Sequence, residues 1–230
     1  MEMYTNVNLA APIGALLFLG TSFLLFVVGL ALIYLLVRKK FGFAKFAVVT
    51  IAAIVGVYLG VMLIFSLASS GRVLARGQEK HFCEIDCHLA YSIVDVRETK
   101  TLGEAPNQAT AAGMFRVVTI KTRFDETTTS LNRDNGLLYP NSRVVTVADE
   151  NGSKYFPSPG GQSVLEKSQA SGTPFTAPLR PSDTYTTTLV FDLPADIRNP
   201  TLLIREGELV TRFVIGHENS PLHKKTRFQI

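Results

Sequence analysis

The chain has 230 residues, 47% hydrophobic and only 18% charged, with a mean hydropathy of +0.21. A soluble domain carries about 25% charged residues, and here the missing charge is missing in one place. Thirty consecutive uncharged residues run from Asn8 to Val37 and twenty-five more from Phe46 to Ser70. These figures speak against a soluble cytosolic enzyme, a disordered chain and a multi-span transporter.

The first element is the tail MEMYTNVN, whose single charge is Glu2. Residues 8–37 and 46–70 follow, each long enough to cross a bilayer as a helix, since roughly 20 apolar residues suffice. Residues 1–70 are therefore expected to be a tail and a two-span transmembrane hairpin. Its turn, 38–45, carries Arg38, Lys39, Lys40 and Lys45 without an acid. Short basic loops stay cytoplasmic, which puts the preceding tail and everything after the second span on the extracytoplasmic face of a plasma or inner membrane, periplasmic or extracellular. Arg72, Arg76 and Lys80 on the outer side weaken that bias. A cleaved signal peptide is not expected, because the basic n-region is missing and the first apolar stretch is too long. Neither span contains an ionisable residue other than tyrosine, so no proton relay or ion site is expected in the membrane. Gly56 and Gly60 form a GxxxG pair suited to close helix packing, within the hairpin or else against a second copy or another membrane subunit.

Beyond residue 70 there are nineteen Lys and Arg against eighteen Asp and Glu, without a long basic run. The basicity behind the pI of 9.1 thus sits in the turn, and nucleic acid is not an expected partner.

Residues 71–88 read as a neck. KHFCEIDCH, Lys80 to His88, holds both cysteines of the chain and two of its four histidines. Three readings of this cluster stay open. Cys83 and Cys87 form a disulfide in an oxidising compartment, which requires a turn between them; or they bind copper or zinc as thiolates with His81 or His88; or they are free, redox-cycling thiols. Glu84 and Asp86 would draw cations toward the site. His217 and His223 are weaker candidates for the same metal.

Residues 89–230 read as strands. Period-two alternation predicts strands over Leu89–Val94, Met114–Phe124, Arg143–Ala148, Ser153–Phe156, Tyr185–Leu193, Thr201–Arg205 and Leu209–Ile215. Asn151-Gly152 marks a hairpin turn, and Gln162–Ala170 a short helix. Short strands without intervening helices predict an antiparallel sandwich ending in a C-terminal tail. Two long connections, 125–140 and 157–183, are places for a binding function. Tyr139, Phe156 and Phe175 are read as core plugs, and Asp192 and Asp196 as turn caps.

The segment PLRPSDTYTTTLVFDLPADIRNPTLLI (178–204), with the DENGSKY hairpin before it, resembles the late strands of bacterial, membrane-tethered immunoglobulin-like domains. The resemblance covers about 88–216 and implies an extracytoplasmic interaction or scaffold domain of unknown biochemical role, with no site residues to carry over. A two-span hairpin, an outer sandwich and CxxxC together are also similar to subunit II of haem-copper oxidases. There, however, the cysteines lie late in the sandwich and a histidine and a methionine follow, where this chain has Tyr91 and Val94. No hydrolase, P-loop or dinucleotide motif occurs. The expected function is a membrane-anchored binding or assembly module that is not an enzyme, has no cofactor and takes the lipid bilayer and a protein as partners. The alternative is a copper- or zinc-binding or redox protein using the neck.

Overall fold

The computed structural model describes residues 4–83, 87–128 and 135–230, and these divide into two units. One unit is helical, 7–70 with 209–224. The other is a β-domain built from 1–6, 71–208 and 225–230.

In the helical unit, α1 spans Ala11–Val37 and α2 spans Phe41–Ala68. Both are long and apolar enough to cross a membrane; at 1.5 Å per residue each measures about 40 Å. The turn between them is shorter than expected, Arg38–Lys40, with Lys39 in the left-handed region at φ 53°. Lys45 therefore stands on α2. Gly56 and Gly60 do not serve the packing expected within the hairpin: a Cβ at either would meet nothing within 4 Å. Gly14 is the glycine under constraint, because a Cβ there would come within 2.9 Å of the Ile215 carbonyl oxygen.

Among the described residues the β-domain has ten strands: β1 Tyr4–Thr5, β2 Arg72–Leu74, β3 Lys80–Phe82, β4 Leu89–Leu102, β5 Ala109–Phe124, β6 Arg143–Ala148, β7 Lys154–Tyr155, β8 Thr184–Leu193, β9 Thr201–Glu206 and β10 Thr226–Gln229. They form two five-stranded sheets, ordered β1-β3-β4-β5-β8 and β2-β10-β9-β6-β7. The expectation of a purely antiparallel arrangement is corrected at the edges, where β1 pairs with β3 and β2 with β10 in parallel. Parallel neighbours need a crossover connection, and for β1 and β3 the helical hairpin lies within that connection.

Four further expectations change. Residues 71–88, read as a neck, supply β2 and β3. The C-terminal residues, read as a tail, return as β10 between β2 and β9. Leu209–Ile215 is not a strand; Leu209–Phe213 is a 3-10 turn belonging to the helical unit. The short helix forms earlier than its periodicity suggested, as α3, Pro159–Lys167. The Ser158 side chain accepts from Gly161 N and Pro159 occupies the first turn, the start signals that place a helix N-terminus. At the β6–β7 turn Gly152 takes φ 84°, while Asp149 Oδ1 accepts from Asn151 N and Ser153 N at 2.9 and 2.8 Å.

One core lies between the sheets. Phe82, Tyr91, Ile93, Val118, Ile120 and Phe191 come from the first sheet; Leu74, Val147, Leu202, Ile204 and Phe228 come from the second. A smaller cluster on the other face of β5 packs Phe115 and Val117 against Val164 and Leu165 of α3. Alternation along β3 points Lys80 and Phe82 inward and His81 outward. Lys80 is 0% exposed, and its ammonium crosses the core to donate to the carbonyls of Ile204 and Thr226 at 3.1 and 3.2 Å. Lys80 Nζ and the Arg143 guanidinium lie 4.8 and 4.6 Å from the Phe82 ring centroid, each within cation–π range. Arg143 Nε also donates to the Tyr91 hydroxyl at 3.2 Å.

A lysine that joins two sheets through backbone carbonyls leaves those acceptors desolvated when it is removed. Lys80→Met, which keeps the apolar stem, is expected to lower the unfolding free energy by about 1–3 kcal/mol, read from denaturant titration of the β-sheet circular dichroism of the full chain in detergent. A change within about 0.5 kcal/mol, the range of an ordinary surface substitution, would contradict this role.

Candidate functional site

The site is assembled along two rows of the first sheet. One row runs Thr5, His81, Ala90, Arg123 and Thr184, paired strand to strand. Directly paired residues share a face, so the small side chain of Ala90 leaves His81 and Arg123 on one side with room between them. The neighbouring row carries Lys80, Tyr91 and Thr122 on the core face.

His81 and Asp125 form a buried pair, with Nε2 donating to Asp125 Oδ2 at 2.6 Å. The other carboxylate oxygen, Oδ1, accepts from Thr127 N at 3.0 Å and from Thr127 Oγ1 at 2.7 Å. Arg123 grips Glu79 in two-pronged fashion, at 2.9 and 2.7 Å, and reaches Asp125 Oδ2 at 3.2 Å. Burial alone would push the Asp125 carboxyl up. Hydrogen bonds from the Thr127 side chain, His81, the Thr127 backbone and Arg123 outweigh it and hold the group well below the usual carboxylate range. Glu79 is also lowered, chiefly by the Arg123 hydrogen bonds.

The loop beside this cluster is closed by a disulfide, Cys83–Cys87, with Cα atoms 4.0 Å apart. Glu84 and Asp86 lie outside the described residues. Cys83 N donates to Asn6 Oδ1 at 2.9 Å, while Asn6 N donates to His81 O at 3.1 Å and Asn6 Nδ2 to Glu206 Oε1 at 2.7 Å. Asn6 thereby ties the segment before α1 to the disulfide loop and to the end of β9. His88 stacks on Phe124 with centroids 5.1 Å apart, and its carbonyl accepts from Asp125 N at 2.7 Å.

A metal does not fit this donor set. Glu79, His81 and Asp125 do bring one ligand atom each within 4.8 Å of one another. Arg123, however, already supplies the positive charge that their carboxylates bind, and the sulfurs are joined to each other, so neither is a thiolate ligand. His217 and His223 lie in the helical unit. His217 Nδ1 accepts from Asn219 N at 3.0 Å, and His223 Nδ1 donates to Lys224 O at 2.6 Å. Neither of the copper or zinc donor sets expected from the sequence is assembled among the described residues.

Arg123, Asp125, Glu79 and Asn6 were not singled out in the sequence. A signal for the first two existed: with Phe124 facing the core, Arg123 and Asp125 must share the opposite face. Nothing in the sequence pairs Asn6 with Glu206, two hundred positions away.

The long loops carry a second feature. Of the two connections, 129–134 lies outside the described residues. The other forms, with β8, a cleft of about 300 Å³ lined by residues including Gln162, Glu166, Thr173, Phe175 and Leu189. Phe175 packs on the core and against Tyr91 as expected of a plug. Tyr139 and Phe156 do not; they are 66% and 63% exposed. Asp192 caps a strand irregularity, accepting from Ala112 N and Gly113 N at 2.7 and 3.0 Å.

No protein-family model matches the chain, and no curated protein matches its sequence. Among solved structures it is similar to MPT63, a secreted protein from Mycobacterium tuberculosis, at 12% identity over 72% of this chain and 100% of that one, with a TM-score of 0.39. It is also similar to a conserved hypothetical protein from Bacillus anthracis, at 14% identity over 51% of this chain and 82% of that one, with a TM-score of 0.37.

The lowered carboxyls carry a sign. A carboxyl held low in the folded state contributes stability above its unfolded value, near 4, and that stability is lost as pH falls through the folded value. The full chain is therefore expected to become less stable progressively below about pH 4. Asp125→Asn is expected to cost about 1–3 kcal/mol at neutral pH and to flatten the acid limb of a stability–pH profile measured by thermal unfolding. A limb unchanged by the substitution would contradict the assignment.

Proposed function

We propose that the protein is a two-pass membrane anchor presenting an immunoglobulin-like sandwich on the extracytoplasmic face, where it acts as a non-catalytic binding or assembly module. The observation that carries this reading is connectivity. The segment before α1 enters the first sheet as β1, and after α2 the chain supplies β2 to the second sheet and β3 beside β1, so a hairpin crossing the membrane twice returns the chain to the side it left. The basic turn, with Arg38, Lys39 and Lys40, and Lys45 at the start of α2 then mark the cytoplasmic side. The Cys83–Cys87 disulfide supports an oxidising location for the β-domain. A binding role is favoured over catalysis by the chemistry of the buried cluster. His81 is occupied by Asp125 at Nε2, and among the described residues its buried Nδ1 has no hydrogen-bond partner and no hydroxyl or thiol nucleophile is bonded to it. The exposed Tyr139 and Phe156 are the aromatic anchors a partner would use.

Thiol labelling of intact cells and of inverted vesicles tests the topology. Cys83 and Cys87 are expected to resist a membrane-impermeant maleimide until reductant is added, and then to label from outside. A cysteine introduced by Lys39→Cys is expected to label only from the cytoplasmic side. Labelling of Lys39→Cys from outside, or free thiols in the untreated protein, would contradict the reading. A photo-reactive residue replacing Phe156 or Tyr139 is expected to give a discrete cross-linked adduct in cells, and adducts at neither position would remove the binding role from this surface.

A further inference from the structure

Residues 209–224 bury several polar side chains and expose several large apolar ones, an arrangement unusual in water, with Ile215 buried and Arg212 and Lys224 exposed. Thr211, His217, Glu218, Ser220 and His223 are buried, whereas Leu209, Val210, Phe213 and Leu222 are 49–70% exposed. In water the informative anomalies are buried polar groups and exposed large apolar ones; here one short segment has both. Several of its backbone groups are paired within the helical unit. Gly216 O accepts from Asn8 N at 2.8 Å, Phe213 O from the Tyr58 hydroxyl at 2.5 Å and Val214 O from Ser220 Oγ at 2.7 Å, while Lys224 N donates to Ser69 Oγ at 2.9 Å. Internal satisfaction of backbone groups is what a hydrocarbon environment demands.

The depth of the contact is set by α2. Counted from Lys45, the one charged residue of that helix, twenty residues of apolar span end near Phe65. Tyr58 lies seven residues short of that point, about 10 Å inside. The segment follows: Ile215 forms part of the wall of an apolar groove of about 410 Å³ in the helical unit, together with Leu17, Thr21, Ala53 and Val57. At Gly14 the close approach of Ile215 O leaves no space for a side chain.

We infer that residues 209–224 form a third membrane element, a re-entrant segment lying at the headgroup–acyl boundary, with Leu209, Val210, Phe213 and Leu222 in contact with lipid. An amphipathic segment buried about 5–10 Å into that boundary has this distribution. The inference rests on the two-span reading above.

The chain has no tryptophan, so single tryptophans report without background. Phe213→Trp, Phe23→Trp on α1 and Tyr139→Trp in the β-domain are reconstituted in vesicles of phosphatidylcholine and phosphatidylglycerol, with and without brominated acyl chains. Phe213→Trp is expected to be quenched by bromolipid to at least half the extent of Phe23→Trp and to resist aqueous iodide, whereas Tyr139→Trp shows the reverse. If Phe213→Trp is quenched by iodide and not by bromolipid while Phe23→Trp is quenched by bromolipid, the segment lies outside the membrane and the hairpin reading stands. If Phe23→Trp also escapes bromolipid, the hairpin reading fails and the inference with it.

Discussion

The arrangement depends on one constraint: the helical hairpin is inserted into the β-domain instead of being appended to it. Tyr4 and Thr5 lie beside Lys80 and His81 in parallel register, although more than seventy residues and both helices separate them. An edge pair of two residues is weak by itself. Asn6 strengthens it by bonding at once to the His81 carbonyl, the Cys83 amide and Glu206. The disulfide loop is held by the same contact. The closing segments of the chain repeat the pattern, since residues 209–224 belong to the helical unit and 226–229 return to the sheet beside β2. The backbone thus passes between the units four times.

Two polar devices complement that weaving. Inside the sandwich core, Lys80 links the sheets through the Ile204 and Thr226 carbonyls, flanking Phe82 together with Arg143. On the opposite side of β3, His81, Asp125, Arg123 and Glu79 make a compact ion network with a histidine in it. The network has the composition of a metal site, yet its own guanidinium serves as the cation. It works as a structural clasp between the start of β3 and the end of β5, beside the one disulfide among the described residues. Its contribution depends on ionised carboxylates, so acid loosens the clasp while neutral pH keeps it closed.

Much of the fold was legible in the sequence because it rests on periodicity. The helices, β4 to β6, β8 and β9 follow from apolar runs and alternation, and Gly152 from its turn chemistry. What was not legible depends on contacts distant in sequence. β1 has two residues and no periodic signal, and β2, β3 and β10 are nearly as short. Leu209–Ile215 alternates like a strand, but Leu209, Val210 and Phe213 are exposed while Thr211 is buried, so the pattern was visible and its environment was not. The cysteines stood out as a pair, but CxxxC spacing alone cannot separate a disulfide from a thiolate site. Arg123 and Glu79, which argue against a cation there, come from β5 and from the residue just before β3 and are joined only by folding.

The central claim is that the segment before α1 is an integral strand of the β-domain. Hydrogen exchange on the full chain in lipid nanodiscs, followed in peptides covering residues 4–8 and 79–83, measures it directly. The amides of Asn6 and Asn8, bonded to His81 O and Gly216 O, should exchange as slowly as those of β3. Complete exchange of 4–8 at the earliest time, with β3 still protected, would show that the segment is a free tail and that the hairpin is only appended.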